Sequence, residues 1–320
     1  MKAYYTPVSS ERMIKTPASG KRKTIMKWHI LGAGAMGNLF ATRLLQAGQD
    51  VSLILRQPNP EGYYQLHCLE GKARRTYTLT AQSASADEAI CRLLITTKAY
   101  DTQAALASVA DRLTPDATLV LLQNGMGQHQ TVQQQHPSAD VWGAVTTAGA
   151  WRPQPDELVC VAAGETHIGP FTAETAALPA GWTALTPAPI YVQDIQTALW
   201  RKLAINCAIN PLTALHRCHN GKLVENPEFY QQMQQLCDEI ETLTHSLGIT
   251  LFATDLIDQA AKVAQATADN RSSMLQDICH GRPTEIEFIT GYVCSQADQL
   301  GIDLPCNKAL LSQVRALSAT

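Results

Sequence analysis

An α/β domain followed by an all-α domain is the fold class that three observations in this 320-residue chain predict. A short apolar strand runs into a glycine-rich turn, a helix and a second strand within residues 28–55. Further buried-type strands, separated by helical segments, continue to about Gly169. From Asp194 onward the hydrophobic pattern is helical. The length suits two domains, and 45% apolar with 17% charged residues is the composition of a soluble globular protein.

Residues 1–25 stand apart from the fold. They carry Lys2, Arg12, Lys15, Lys21, Arg22 and Lys23 against the single acid Glu11, with no apolar core. That pattern is no secretory signal. It reads as a flexible tail, or as sequence upstream of a start at Met26, with an organellar transit peptide as the other option.

Trp28-His29-Ile30-Leu31 is the first strand, followed by Gly32-Ala33-Gly34-Ala35-Met36-Gly37, a helix over 38–47 ended by Gly48, and a second strand over Asp50–Leu55. Strand, glycines, helix and strand in this order are the context that G-x-G-x-x-G requires for dinucleotide binding. Gly32 permits the tight turn, Gly34 lets a pyrophosphate approach the backbone, and Gly37 lets helix pack on strand. The phosphates would then rest on the helix N-terminus, so Ala33, Ala35 and Met36 join the glycines as candidate cofactor positions. The domain is therefore expected to be Rossmann-type. Its second strand ends in Arg56, nineteen residues after Gly37, with no acid before Glu61. An NAD site places an acid there for the ribose 2′-hydroxyl. A cation suits a 2′-phosphate instead, so NADPH is expected over NADH.

Arg92–Thr97 is a buried-type strand leading to Lys98, with a helix expected over 101–113. Thr118–Leu122 is another strand, followed by Gln123-Asn124-Gly125-Met126-Gly127 and a Gln-rich helix. Ligands bind past the carboxyl ends of parallel strands. Lys98 and Asn124 are therefore cofactor or substrate candidates, although Asn124-Gly125 could be only a turn pair. The runs 141–150 and 158–169 read as strands, and the second lacks an intervening helix, so the sheet should finish antiparallel. A boundary near 191–194 gives a dinucleotide-binding domain over 26–193 and a substrate-binding helical domain over 194–320.

Helical patterns in the second half run 194–215, 227–247, 253–268, 270–280, 284–300 and 307–318, broken at Gly221, Gly248 and Gly301. Within the first of these, Lys202, Asn206, Asn210 and Thr213 fall at i, i+4, i+8 and i+11, one polar stripe on a helix otherwise apolar all round. Such a helix is buried, yet a lysine and two amides cannot be buried without partners. The stripe should line a cleft holding something polar and anionic. A solvent-facing stripe is the alternative, for which asparagine is a poor choice. Pro211 should kink or end the helix. A second polar cluster, Asn270-Arg271-Ser272-Ser273, offers serines that could bind a hydroxyl or carboxylate, or merely fill surface. Glu285, after Pro283, could favour its own helix N-terminus.

A net charge of -3 leaves no footprint for nucleic acid or an anionic membrane. No apolar run approaches the roughly 18 residues of a membrane span. Nine cysteines without a C-x-x-C pair or metal spacing point to a reducing compartment, the cytoplasm, and to no metal site.

Taken together, the chain resembles the ketopantoate reductase (2-dehydropantoate 2-reductase) family from Met26 to about Leu317. The resemblance rests on L-G-A-G-A-M-G at 31–37, T-K-A at 97–99, N-G-M-G at 124–127 and T-H-I-G-P at 166–170. It rests further on L-W-R-K-L-A-I-N-C-A-I-N-P-L-T-A at 199–214, S-S-M-L-Q-D at 272–277 and G-R-P-T-E-I at 281–286. It implies an NADPH enzyme of pantothenate and coenzyme A biosynthesis that reduces a small 2-keto acid to (R)-pantoate. By position it implies Lys202 as the general acid, Asn206 and Asn210 as substrate-binding amides, and Asn220 as a substrate-loop residue. Asn270, Ser272 and Ser273 match the substrate-binding Asn-x-Ser-Ser segment, with Ser273 at the carboxylate. Glu285 matches an acid touching the cofactor ribose or substrate hydroxyl, Arg56 and Lys98 bases near the adenosine phosphate, Asn124 a nicotinamide-side contact, and Gly149 a backbone contact to the cofactor. Asp101 stands where some members have Gln, and Glu287 and Thr290 replace an Asp and an Asn.

The expected chemistry is hydride attack on the C2 ketone with a cation beside the developing oxyanion. A partly apolar setting should bring the Lys202 pKa down toward working pH. The alternatives are an NADP-dependent reductase of another 2-keto or β-hydroxy acid, and a non-catalytic NADPH-binding sensor. Monomer and homodimer are both open.

Overall fold

The computed structural model describes residues 27–58, 60–171 and 177–318. The tail over 1–25 lies outside the described residues. The first strand β1 (Trp28–Leu31) is followed by helix α1 (Ala35–Gln46) and strand β2 (Val51–Ile54), which pairs parallel with β1. Strands β3 (Tyr63–Glu70) and β4 (Ala73–Gln82) form an antiparallel hairpin, and β4 adds parallel to β2. The sequence reading assigns nothing between Arg56 and Arg92, although Tyr64, Leu66 and Cys68 alternate with more exposed neighbours as a half-buried strand does.

Strand β5 (Ile90–Ile95), helix α2 (Thr102–Ala107), strand β6 (Leu113–Leu121), helix α3 (Gln128–Gln135) and strand β7 (Asp140–Thr146) continue the doubly wound pattern. The helix expected over 101–113 is shorter, because the chain re-enters the sheet at Leu113. The run 141–150 is divided into β7 and β8 (Gly149–Trp151), and 158–169 into β9 (Glu157–Ala162) and β10 (Thr166–Pro170). At the second break Gly164 takes φ +59 so close to Ala148 that a Cβ would meet its amide nitrogen at 2.1 Å. Strand β10 pairs antiparallel with β7, as expected, and β11 (Ile190–Tyr191) closes that edge.

The sheet order is β11-β10-β7-β6-β5-β1-β2-β4-β3-β9-β8. β1 therefore sits between β2 and β5, and the chain winds outward in both directions from it, which opens a crevice at the carboxyl end of β1. Both faces are covered. Trp28, Ile30 and Leu53 pack with Leu39, Phe40 and Leu44 of α1. Leu31, Ile54 and Ile95 face the other way, with Leu106 of α2 and Val132 of α3. Near-continuous apolar strands are what burial on two faces demands.

The helical half is built around α4 (Ile195–His216). Around it lie α5 (Lys222–Glu225), α6 (Pro227–Ser246), α7 (Leu256–Ala266), α8 (Ser273–Cys279), α9 (Thr290–Gln299) and α10 (Pro305–Ser318). Asp194 caps α4 by accepting from the Thr197 amide at 3.0 Å, and Arg217 ends it at φ +49. Pro211 does not end the helix, which runs on to His216. Residues 207–214 are all buried, and that packing outweighs the roughly 3 kcal/mol that a mid-helix proline costs. The helix expected over 284–300 begins instead at Thr290, because Ile289 leaves helical geometry with ψ -92. Among the described residues no helix is long and apolar enough to cross a membrane.

Candidate active site

The glycine turn uses glycine in two ways. At Gly32, φ is +107 and a Cβ would lie 2.6 Å from the Thr97 amide nitrogen; at Gly37 it would lie 2.0 Å from the Gly32 carbonyl oxygen. Both close a backbone-on-backbone contact that no side chain fits. At Gly34 nothing lies within 4 Å of a Cβ. That position faces open space at the start of α1, whose cap has no side chain for the first amides and whose first turn has no acid. Unpartnered amides beside an open approach suit an anion. The Thr96 hydroxyl donates to the Gly32 carbonyl at 2.6 Å and holds the turn. Ala33, Ala35 and Met36 are half-buried around it.

Arg56, at the end of β2, is highly exposed and lies 3.3 Å from Asp101. Two residues that the sequence reading did not single out reach the same region. Arg152, just after β8, donates to the Ala33 carbonyl at 2.6 Å. Gln123 donates to the Thr97 carbonyl at 3.0 Å and to its hydroxyl at 2.9 Å, tying the loops after β5 and β6 together. No spacing rule marks either one. Gly149, half-buried in β8, has Val161 at 2.8 Å from where its Cβ would be.

The polar stripe of α4 is brought to the sheet by glycines on the sheet side. A Cβ on Gly143 would lie 2.9 Å from Ile195, and one on Gly169 would lie 2.0 Å from the Val192 carbonyl oxygen. This close seat carries Lys202 to the end of β7, where its ammonium donates to the Thr146 carbonyl at 3.1 Å. Burial lowers the Lys202 pKa from 10.5 to about 8, against the opposing pull of Glu285. An ammonium of that acidity gives up a proton near neutral pH. One and two turns further along, Asn206 is half-buried and Asn210 buried.

Glu285 belongs to the helical half, yet its carboxylate does not serve its own helix. It accepts from the Ala99 amide at 3.0 Å and lies 3.4 Å from the Lys98 ammonium. Lys98 is also 2.7 Å from Asp277, whose other oxygen accepts from Arg282 at 2.9 Å. Burial works to lower the Lys98 pKa, but Glu285 and Asp277 outweigh it and hold the ammonium above its usual value. Lys98 thus clasps the loop after β5 to α8 and Glu285. Asp277 is the site residue that the sequence reading passed over; a carboxylate on the buried side of a short helix needs such partners.

The remaining candidates divide. Asn124 is half-buried beside Gly125, where φ is +80 and a Cβ would lie 2.4 Å from the Phe288 carbonyl oxygen, so this loop is seated on the helical half. Ser272 caps α8, accepting from the Leu275 amide at 3.1 Å, and its hydroxyl is 2.7 Å from that of Thr213. Those bonds take up most of its capacity. Asn220 donates to the Thr267 hydroxyl at 2.9 Å and leaves its side-chain oxygen buried and unpaired. Asn270 and Ser273 are exposed.

Comparison with known proteins gives the arrangement its relatives. The family described as ketopantoate reductase PanE/ApbA matches residues 28–173, and its C-terminal counterpart matches 194–318. The 2-dehydropantoate 2-reductase of Vibrio cholerae is 39% identical over 90% of this chain and 96% of its own length. The crystal structure of a PanE/ApbA family ketopantoate reductase from Ralstonia eutropha is 28% identical, with a TM-score of 0.82 over 92% of this chain and 99% of that one. A D-mandelate dehydrogenase solved with NADH and anilino(oxo)acetate has a TM-score of 0.84 over 92% of this chain and 99% of its own, at 20% identity, and shares the fold.

Proposed function

The chain belongs to the ketopantoate reductase PanE/ApbA family, and from that premise we propose that it reduces 2-dehydropantoate to (R)-pantoate with NADPH. The observation that carries the reading is Lys202, an ammonium at the end of β7 with its pKa brought to about 8. The protein is an NADP-dependent oxidoreductase acting on a small 2-keto acid, in the pathway to pantothenate and coenzyme A.

The residues present fit the cofactor. Gly32, Gly34 and Gly37 with Ala33, Ala35 and Met36 offer an open amide cradle for the pyrophosphate, and Arg56 offers a cation for the 2′-phosphate. Lys98, Asn124, Gly149 and Glu285 complete the set assigned to it. NADPH supplies the hydride.

Lys202 stabilises the charge that grows on the ketone oxygen and gives that oxygen its proton. At pH 7 an ammonium with pKa near 8 is mostly charged, so it binds an anionic substrate and is still acidic enough to act. Asn206 and Asn210 orient substrate and ammonium as neutral donors, adding no rival charge. Ser273 is the group assigned to the substrate carboxylate, with Asn270, Ser272 and the loop residue Asn220 as the further substrate-binding groups. Glu285 keeps the Lys202 pKa from falling further.

The reading assigns NADPH binding to residues 26–193 and substrate binding to 194–320, of a cytoplasmic enzyme that is a monomer or homodimer. Its test is NADPH oxidation with ketopantoate beside a panel of other 2-keto acids. Preference for ketopantoate by more than tenfold in kcat/KM is expected. A better alternative substrate would transfer the reading to that acid, and tight NADPH binding with no turnover would leave a sensor.

A further inference from the structure

We propose that Cys68 and Cys160 form a peroxide-responsive thiol pair, a modification site at which oxidation ties strand β3 to strand β9. Their sulfurs are 3.5 Å apart. The two strands run parallel, with Cys68 opposite Leu158 and Cys160 opposite Glu70. The cysteines are thus diagonal neighbours, and the period-two alternation of strands puts both on one face. Cys68, Leu66 and Leu158 belong to the buried cluster under α1, and Cys160 packs against it. Closing from 3.5 Å to the roughly 2.0 Å of a disulfide combines side-chain rotation with a small approach of the two strands. Diagonal neighbours start about 7–8 Å apart at Cα, and a disulfide spans less than about 7 Å.

The two thiols are not equivalent. Cys68 is buried and Cys160 half-buried, so an oxidant arriving from solvent meets Cys160 first. Cys160 also has the better nucleophile's surroundings. The Cys68 thiol lies within hydrogen-bond distance of it, and the buried Arg43 guanidinium lies close by, held by a 2.7 Å bond to the Ala163 carbonyl. Together they outweigh burial and the nearby Glu70 carboxylate, holding Cys160 below the ordinary thiol value. Cys68 is pushed up by the same hydrogen bond and by burial.

The chemistry balances with hydrogen peroxide as oxidant. The Cys160 thiolate attacks one peroxide oxygen, the O–O bond breaks, and the departing hydroxide takes a proton to leave as water, which gives a sulfenic acid on Cys160. The Cys68 sulfur then attacks the Cys160 sulfur. The S–O bond breaks, the Cys68 proton leaves with the departing hydroxide as a second water, and a disulfide remains. Two thiols are oxidised by two electrons and one peroxide is reduced by two. None of this draws on the reductase chemistry. The tie does anchor an arm of that site, because β9 pairs with β8, and Arg152 after β8 holds the Ala33 carbonyl.

The test is to treat the full chain with near-stoichiometric hydrogen peroxide, alkylate the remaining thiols and map the peptides. A peptide linking Cys68 to Cys160, released by dithiothreitol, should form at doses that leave the exposed Cys279 largely reduced. Cys68→Ser should strand a sulfenic acid on Cys160 that a dione reagent captures, and Cys160→Ser should abolish the link. The linked form should melt about 5 °C or more above the reduced form. Over-oxidation of Cys160 without a linked peptide overturns the proposal, as does linkage scattered among the nine cysteines. Mapping of the unsubstituted chain decides even if a serine variant fails to fold.

Discussion

Replacing Lys202 with methionine should make this protein more stable and at least ~100-fold slower. Lowering the pKa of Lys202 from 10.5 to about 8 means that the folded state disfavours the ammonium. At neutral pH that penalty is about 3 kcal/mol, reduced by whatever solvent reaches a half-buried side chain. Methionine removes the charge and keeps most of the volume, but strands the Thr146 carbonyl that the ammonium serves, at a cost of about 1 kcal/mol. A net gain of about 1–2 kcal/mol remains. Between about 8 and 10.5 the unfolded chain holds the Lys202 proton and the folded one does not. Wild-type stability should therefore rise with pH across that window, and the advantage of the methionine variant should close. Urea unfolding of both proteins from pH 7 to pH 10, beside steady-state kcat with ketopantoate, measures all of this. A variant that is less stable than wild type at pH 7, or one that keeps near-normal turnover, refutes the reasoning.

Further outcomes follow from the same geometry. Wild-type kcat/KM for ketopantoate should fall about tenfold per pH unit above about 8, where Lys202 loses its proton; a flat profile to pH 10 counts against it as the acid. Gly34→Ala should fold normally, since nothing lies within 4 Å of its Cβ, yet weaken NADPH binding by tenfold or more in a fluorescence titration; Gly37→Ala, with 2.0 Å to the Gly32 carbonyl, should lose ~2 kcal/mol or more in urea unfolding. Arg56→Ala should raise KM for NADPH about tenfold and leave that for NADH nearly unchanged, read in parallel assays. Asp277→Ala should remove the carboxylate shared by Lys98 and Arg282 and lower stability by about 1–3 kcal/mol, both cations being partly solvated.

Much of this was legible in the sequence, in unequal parts. The strand–turn–helix at 28–46 was readable because the glycine spacing answers to backbone contacts within one βα unit. The stripe Lys202-Asn206-Asn210 was readable because helical periodicity puts it on one side. The hairpin of β3 and β4 went unassigned despite its alternation, and with it the neighbour that β9 would need. Pro211 suggests a kink or an end inside α4, whereas the helical pattern over 194–215 continues past it as the helix does, because the proline penalty is local while the packing that overrides it comes from the elements around the helix. Lys98, Asp277 and Glu285 lie up to 187 positions apart along the chain, and no local pattern joins them.

By itself the sequence determined the two-part architecture, the glycine turn and which side of α4 is polar, since each follows from periodicity or sterics within a few turns of chain. Only the tertiary structure decided that the Lys202 ammonium reaches the Thr146 carbonyl and that Glu285 closes over Ala99 rather than capping its own helix. Burial sets the acidity of the first, and an ion pair across the two halves sets the place of the second. Both depend on what packs opposite, which no single stretch of chain contains.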